Sequence, residues 1–263
     1  MKQRIITGVL AGAVFIGLLT AGGVWFQTLI CLLAVIGYYE FIRMHGLKSF
    51  EWTAFVGFVG LLYFVMPWGH LLGDYKLPLL TFVWMFLFLL LSLTVLTRNR
   101  INLEAAAVLF LGAVYVGTGF HYMIVVRNFE DGLFWSILLF VCIWLSDSGA
   151  YFTGKAIGRT PLWPSISPNK TIEGALGGIV LSVGSALVFF AFAPDILNWR
   201  QAIAIGLCAS IAGQLGDLIQ SAYKRARGVK DSGGILPGHG GVLDRCDSWL
   251  IVFPLVKMLL LIS

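Results

Sequence analysis

The 27 residues 221–247 concentrate most of the chemistry that this sequence could perform. They contain five Lys or Arg residues, three carboxylates, one histidine and six glycines. Lysine and arginine form charge-assisted hydrogen bonds with phosphate, and glycine lets backbone N–H groups approach anionic oxygens closely. Asp244 and Asp247 would share one face of a helix, where two carboxylates suit a divalent cation. The run therefore predicts a phosphate and metal site. A solvated loop would explain the cations alone.

A carboxylate at predicted membrane depth adds to this site. Asp217 lies four residues before Ser221 and seven before Lys224, so the three side chains share one face of a helix. A charged group inside a membrane helix is costly and marks a functional site by default. Asp147 makes a similar case, with a proton relay or a structural hydrogen bond as an equal alternative.

A second polar segment, 165–174, reads SISPNKTIEG. Ser167, Lys170 and Thr171 have side chains that suit phosphate or sugar groups. Glu173 would begin a helix, where its charge suits the helix dipole. Simple capping of the following helix by these residues is the alternative interpretation.

The composition places these segments in a membrane protein. Of the 263 residues, 59% are hydrophobic and only 12% are charged, whereas a soluble domain has about 25% charged residues. This excludes a soluble globule and predicts an all-α integral membrane protein. The net charge of +5 then serves to orient loops rather than to bind nucleic acid. The four cysteines lack CxxC spacing, so neither a disulfide framework nor a zinc site is expected.

Polar, Gly and Pro breaks divide the chain into nine candidate membrane spans of suitable length. They cover roughly 5–21, 24–42, 53–69, 77–97, 103–126, 133–153, 174–193, 201–222 and 248–263. The first two would form a tight hairpin at Gly22–Gly23, and the third and ninth fit the pattern least well. We interpret residues 1–263 as one membrane domain, with N-terminal helices over 1–132 and a catalytic half over 133–263.

The distribution of cations predicts the orientation of the spans. With the N-terminus in the cytoplasm, 14 of the 18 Lys and Arg residues fall inside, three fall outside and Lys257 lies in the last span. This asymmetry follows the positive-inside rule. It predicts a C-terminus outside and both polar segments on the cytoplasmic side.

The 221–247 run resembles the signature of phosphatidate cytidylyltransferases, also called CDP-diacylglycerol synthases. The matching polar positions are Ser221, Lys224, Arg225, Lys230, Asp231, His239, Gly240, Gly241, Asp244, Arg245 and Asp247. Tyr223 and Cys246 stand where aliphatic residues are more usual. Residues 146–174 also resemble the family, whereas the N-terminal half resembles it only in hydropathy.

The resemblance implies a multi-pass enzyme of the plasma (inner) membrane that joins CTP and phosphatidate into CDP-diacylglycerol and pyrophosphate. It implies Mg²⁺ as cofactor, held by Asp217, Asp244 and Asp247, with a second metal ion left open. Phosphates would be held by Lys170, Lys224, Arg225, Lys230 and Arg245. Asp231 and His239 would act in catalysis or only order the loop. Further substrate contacts would come from Ser167, Thr171, Glu173, Ser221, Gly240 and Gly241. A homodimer is compatible with the family.

Three alternatives compete with this interpretation. A transporter would use Asp147 and Asp217 as ion sites and predicts inverted repeats, which are not apparent. A CDP-alcohol phosphotransferase would carry a denser Asp-Gly-x-x-Ala-Arg motif, which is absent from the sequence. A relative of polyprenol-lipid kinases stays open. Acyl-chain preference, discrimination of CTP from dCTP and the oligomeric state have no signal in these residues.

Overall fold

The computed structural model describes residues 2–47, 52–68, 77–234 and 240–262, and of residues 2–7, 52 and 53 only the backbone. Helices account for most of these residues, which confirms the all-α membrane class. His239 lies outside the described residues.

The first half of the chain is a succession of helices. They are α1 (Lys2–Ala21), α2 (Gly23–Met44), α3 (Trp52–Val65), α4 (Leu79–Leu96) and α5 (Leu103–Arg127). Gly22 and Gly23 both have positive φ, 66° and 50°, a conformation that glycine adopts without steric cost. The rings of Phe15 and Phe26 lie 6.3 Å apart, although a straight helix would separate their backbones by about 16 Å. The chain therefore folds back at the glycine pair, as the sequence predicts.

The second half contains the longer helices and a small sheet. Its elements are α6 (Gly132–Ile157), β1 (Pro161–Trp163), β2 (Ser167–Thr171), α7 (Ile172–Phe192), α8 (Trp199–Ala226), α9 (Leu243–Cys246) and α10 (Trp249–Met258). The hairpin of β1 and β2 lies within the predicted loop 154–173. The predicted ninth span is shorter than expected, since α10 has ten residues with Pro254 inside it.

Six helices within the described residues are long and apolar enough to cross a membrane. They are α2, α4, α5, α6, α7 and α8. Shorter apolar helices, Gly8–Ala21, Ala54–Val65 and Trp249–Met258, occupy the first, third and ninth predicted spans. A multi-pass protein follows from the six long helices, and the count of nine spans stays a prediction.

The chain divides into two compact units. One comprises Met1–Val125 and Asp231–Leu243, and the other comprises Val126–Lys230 and Asp244–Ser263. The 221–247 run is therefore shared between the units, which its continuous motif does not suggest.

Small residues bring the helices of the second unit close together. A Cβ added to Gly149 of α6 would lie 2.8 Å from the carbonyl oxygen of Gly177, and one on Gly178 of α7 would lie 2.8 Å from that of Ser146. Such close approach of backbones is typical of helix pairs in membranes. The hydroxyls of Ser146 and Ser210 are 2.7 Å apart and join α6 to α8. Three closely packed helices, α6, α7 and α8, thus position the polar segments.

In the first unit, α2 contributes large buried side chains to the core. Phe26, Ile30, Tyr38 and Phe41 are each at most 1% exposed. The Tyr38 hydroxyl donates a hydrogen bond to the Leu109 carbonyl at 3.1 Å, which satisfies its polar end within an apolar core.

Candidate active site

The connection from α6 to α7 is a β-hairpin that is fastened to the start of α7. Pro161 pairs with Thr171 and Trp163 pairs with Ser167 in antiparallel register. The Thr171 side chain accepts a hydrogen bond from the Gly174 N–H at 3.1 Å, which satisfies one of the unpaired donors at the helix start. The hairpin therefore has a defined position relative to α7.

Glu173 holds the residues that precede the first strand of the hairpin. Its carboxylate accepts hydrogen bonds from the backbone N–H groups of Arg159 and Thr160 at 3.1 and 3.2 Å, and from the Thr160 hydroxyl at 2.9 Å. The capping interpretation is thus confirmed for Thr171, whereas Glu173 lies in the first turn of α7 but binds the residues that precede the hairpin. Their contact with a substrate, and that of Ser167, stay predictions.

A cavity of about 480 Å³ that contains several charged side chains lies between α6, the hairpin, α7 and α8. Its polar lining residues are Asp147, Tyr151, Lys155, Asn169, Lys170, Thr171, Gln214 and Asp217. Lys170, Thr171 and Asp217 are predicted site residues, which the hairpin and α8 bring together from 46 positions apart in sequence. Four further lining residues were not predicted as site residues: Tyr151, Lys155, Asn169 and Gln214. Of these, only Tyr151 has a signal in its spacing, one helical turn after Asp147.

Lys170 and Asp217 form the central ion pair of this cavity. The Lys170 Nζ lies 2.6 Å from Asp217 Oδ2, and the two side chains are 27% and 38% exposed. The Ser221 hydroxyl donates to Asp217 Oδ1 at 3.3 Å, which confirms that these two residues share one helix face. Because a partly exposed ion pair contributes little stability, both charges remain able to exchange partners with a ligand.

A second ion pair is more buried. The Lys224 Nζ lies 2.8 Å from Asp244 Oδ1, with side chains 12% and 7% exposed. The sequence places Lys224 and Arg225 just beyond the eighth membrane span, which stays a prediction; the helix itself continues to Ala226, so both residues lie in the last turn of α8. There their charges also suit the C-terminal end of the helix dipole.

Asp247 lies in the turn between α9 and α10. Its Oδ1 accepts the Ser248 N–H at 2.7 Å. A Cβ on Gly216 would lie 2.6 Å from the Asp247 carbonyl oxygen, so glycine lets this turn approach α8. Burial, the negative charge of Asp217 and, more weakly, that of Asp147 raise the pKa of Asp247 to about 7. The three carboxylates are therefore electrostatically coupled.

The donor chemistry of these residues suits a divalent cation. Carboxylate oxygens are the ligands that Mg²⁺ prefers, and a cation relieves repulsion between neighbouring carboxylates. Across the described residues, however, no three Asp, Glu, His or Cys side chains are grouped closely enough to hold one metal ion. The predicted triad of Asp217, Asp244 and Asp247 does not form such a group, and Asp244 pairs with Lys224 instead. Asp147, which the sequence singles out by its membrane depth and by the family resemblance of residues 146–174, lines the same cavity as Asp217 and adds negative charge near Asp247.

In the first unit, Glu40 of α2 organises the part of the 221–247 run that belongs there. Its carboxylate is 1% exposed. It accepts hydrogen bonds at 3.0 Å from the Ser232 hydroxyl and from the N–H groups of Val242 and Leu243. Sequence reasoning missed Glu40, although the signal used for Asp147, a carboxylate inside an apolar helix, also applied to it.

The remaining motif residues have simpler surroundings. Gly240 has a φ of 81°, which favours glycine, and Gly241 is buried against Glu40 and Ser232. The close approach that Gly241 permits is therefore to a carboxylate of the chain, and its predicted phosphate contact stays a prediction. Three further predicted residues, Lys230, Asp231 and Arg245, are exposed.

Comparison with known proteins identifies the family. The model of the cytidylyltransferase family matches residues 2–263. The chain belongs to this family. Phosphatidate cytidylyltransferase of Bacillus subtilis (strain 168) is 43% identical over 265 residues, covering 99% of this chain and 97% of the relative. Proteins of the same name from Staphylococcus haemolyticus (strain JCSC1435) and Staphylococcus aureus (strain COL) are 40% and 39% identical, each over at least 99% of both chains.

Membership of the cytidylyltransferase family confirms the resemblance read from residues 146–174 and 221–247. The match also extends through the N-terminal half, where the sequence offers only hydropathy. It decides for a nucleotidyl-transferring enzyme over a transporter or a lipid kinase. The cavity around Lys170 and Asp217 thus lies among the segments that carry the family motif.

Proposed function

We propose that this chain transfers the cytidylyl group of CTP to phosphatidate, giving CDP-diacylglycerol and pyrophosphate, at the cavity that contains Lys170 and Asp217. The observation that carries the proposal is the ion pair between these two predicted site residues, which line a cavity large enough for a phosphate-bearing headgroup. The names of relatives 39–43% identical over the whole chain support the same reaction.

The reaction places its main demand on charge neutralisation. The phosphate monoester of phosphatidate is ionised at neutral pH, so its oxygen needs little activation as a nucleophile. That oxygen attacks the α-phosphorus of CTP, and the bond to the bridging oxygen breaks as pyrophosphate leaves. Two polyanions must meet for this step, so fixed positive charges around them stabilise the transition state.

The chain holds its cations against carboxylates that a ligand can replace. Lys170 and Lys224 each have a carboxylate partner within 2.8 Å, so both are oriented before substrate binds. On binding, each ammonium group would exchange its carboxylate partner for a phosphate oxygen. The other cations assigned to phosphate are Arg225, Lys230 and Arg245.

A Mg²⁺ ion would neutralise the phosphates and the carboxylates together. Asp217 and Asp247 are the residues best placed to hold it, with Asp147 adding negative charge nearby. Asp244 would join them when Lys224 turns to phosphate. The coupling of Asp217 and Asp147 to Asp247 supports this assignment, because it makes a bound cation favourable at this place.

A label-transfer experiment tests the reaction. Purified enzyme in mixed micelles would receive phosphatidate, Mg²⁺ and CTP labelled either in cytosine or at the γ-phosphate. We expect the cytosine label in the lipid phase and the γ-label in pyrophosphate. A γ-label in lipid would instead indicate a kinase, and no label in lipid from either substrate would contradict the proposal.

The nine-span topology of a plasma-membrane protein, with its active site facing the cytoplasm, completes the proposal. A single cysteine at Lys230, in a cysteine-free background, would be treated with a membrane-impermeant maleimide. Labelling is expected in inside-out vesicles and not in intact cells. A cysteine at Arg200, in the first turn of α8 and predicted to face the opposite side, should show the reverse pattern. Labelling of Lys230→Cys in intact cells would overturn the orientation.

A further inference from the structure

Glu40 lies in α2, a helix of the first unit that is long and apolar enough to cross a membrane, and such a role does not explain a charged side chain. A carboxylate 1% exposed in an apolar helix is costly unless donors surround it. We propose that Glu40 is a positioning residue that holds the two ends of the segment 231–243 together and, through Leu243, fixes the placement of Asp244 for cytidylyl transfer. This inference rests on the proposed function.

The donors to Glu40 come from both ends of that segment. Ser232 lies at its start, while Val242 and Leu243 lie at its end. One side chain therefore brings together positions ten residues apart. A carboxylate that accepts backbone N–H groups forms stronger bonds than a neutral acceptor does, so the charge itself contributes to this closure.

Two glycines of the segment have Glu40 as their neighbour. A Cβ on Gly233 would lie 2.5, 2.8 and 3.0 Å from the Oε1, Cδ and Cγ atoms of Glu40, and one on Gly241 would collide with Oε2. A Cβ on Gly234 would have nothing within 4 Å. The Glu40 carboxylate thus leaves no room for a side chain at Gly233 or Gly241. Gly234, where a side chain would fit, serves as a matched control.

The effect of Glu40 reaches the second ion pair through the chain itself. Leu243, whose N–H bonds to Glu40, is the first residue of α9, and Asp244 is the second. Asp244 holds Lys224 at 2.8 Å. Consecutive residues of a helix have fixed relative positions. The hydrogen bond that holds Leu243 therefore restricts the position of the Asp244 backbone, from which the carboxylate extends. Glu40 therefore acts on the site without contacting a substrate.

Glu40→Gln tests the charge with almost no change in size. An amide has one acceptor oxygen, and its NH₂ group would face either the Val242 N–H or the donors to Oε2, so at least one donor loses its partner. We expect kcat/KM to fall roughly 10- to 100-fold, as for loss of one bond to a charged group. The Mg²⁺ concentration for half-maximal activity should rise, while the yield of folded protein stays near wild type.

The matched control is Glu104→Gln, the same chemical change at an exposed position of α5, which should leave kinetics unchanged. Glu40→Asp, which keeps the charge, should recover part of the activity lost in Glu40→Gln. A purely structural role would lower folded yield without changing kcat/KM or the Mg²⁺ dependence of the folded enzyme. That result, or wild-type kinetics in folded Glu40→Gln, would overturn the inference.

Two measurements do not depend on the reaction. Amide hydrogen exchange in peptides spanning 240–248 should quicken in Glu40→Gln and not in Glu104→Gln. In a double-mutant cycle on thermal stability, Gly233→Ala should be destabilising beside Glu40 and near neutral in a Glu40→Ala background. Gly234→Ala should be neutral in both backgrounds.

These measurements separate the two proposals. Wild-type enzyme that transfers no cytidylyl label would contradict the proposed function while exchange and the cycle still report on Glu40. Unchanged exchange in Glu40→Gln, or no coupling between Gly233 and Glu40, would overturn the positioning role even if the enzyme transfers label.

Discussion

The regions around Glu40 and Asp217 answer the same physical problem in different ways. Both carboxylates lie in apolar helices, where a charge is costly. Glu40 is 1% exposed and accepts hydrogen bonds from two backbone N–H groups and one hydroxyl. Asp217 is 38% exposed at the edge of a cavity, with Lys170 and Ser221 as partners.

The identity of the donors decides what each carboxylate can do. Backbone N–H groups belong to the fold and cannot leave without unfolding the segment, so Glu40 is committed to its place. A lysine side chain can rotate to another anion, so Asp217 and Lys170 can exchange partners with a cation and a phosphate. A buried charge alone does not identify a substrate site, whereas the mobility of its partners helps to do so.

The largest effect is expected from removing the charge of the two carboxylates best placed to hold Mg²⁺. Asp217→Asn and Asp247→Asn keep the side-chain shape and should reduce cytidylyl transfer by roughly 100-fold or more, with the protein still folded. Incorporation of cytidine label would be measured against Mg²⁺ concentration. Asp195→Asn, an exposed aspartate of the same unit, is the control, and unchanged rates with unchanged Mg²⁺ dependence would remove the metal assignment.

Alanine substitutions of Lys170 and Lys224 should differ more in their effect on protein stability than in their effect on activity. Lys170→Ala and Lys224→Ala should each lower kcat/KM about 10- to 100-fold, because each removes a charged donor to phosphate. Only Lys224→Ala should also destabilise the fold, by roughly 3 kcal/mol, since it leaves the more buried Asp244 without its cation. Thermal unfolding and kinetics would be measured together.

The control for the lysines is Arg200→Ala, at an exposed position, which should change neither quantity. Wild-type kcat/KM in Lys224→Ala would indicate that this residue serves only to orient the helix in the membrane. Equal loss of stability in Lys170→Ala would break the distinction between the exposed and the buried pair.

Gly241→Ala separates the packing role of this glycine from a phosphate contact. The added methyl group would meet Glu40 and Ser232, so we expect destabilisation of about 1–3 kcal/mol from overpacking. Thermal unfolding would be compared with that of Gly234→Ala, which should match wild type. Full stability with a raised KM for CTP would favour the phosphate contact instead.

The smallest effects should come from the two serines beside the carboxylates. Ser221→Ala removes one neutral donor to Asp217 and should lower kcat/KM only about 2- to 10-fold, with stability unchanged. Ser232→Ala removes one donor to Glu40 and should lower stability by about 1 kcal/mol. If the two variants exchanged these effects, the contrast between the Glu40 and Asp217 regions would be wrong.

Much of the fold is readable from local pattern. Long apolar stretches predict the helices because hydropathy and length are properties of contiguous residues. The glycine pair 22–23 predicts the turn between α1 and α2 for the same reason. Local pattern locates the ends of helices less accurately: α8 runs one turn beyond the predicted end of the eighth span. The connection between the sixth and seventh predicted spans contains a β-hairpin that its sequence does not reveal.

The sequence by itself determined the membrane class, the position of the helices and the motif that identifies the family, since these depend on residue type and spacing along the chain. Only the tertiary structure decided which charges meet. It pairs Lys170 with Asp217 and Lys224 with Asp244, and it places Glu40 against residues about 200 positions away. The physical reason is that a carboxylate accepts any donor within about 3 Å, and which donor arrives there depends on helix packing rather than on sequence separation.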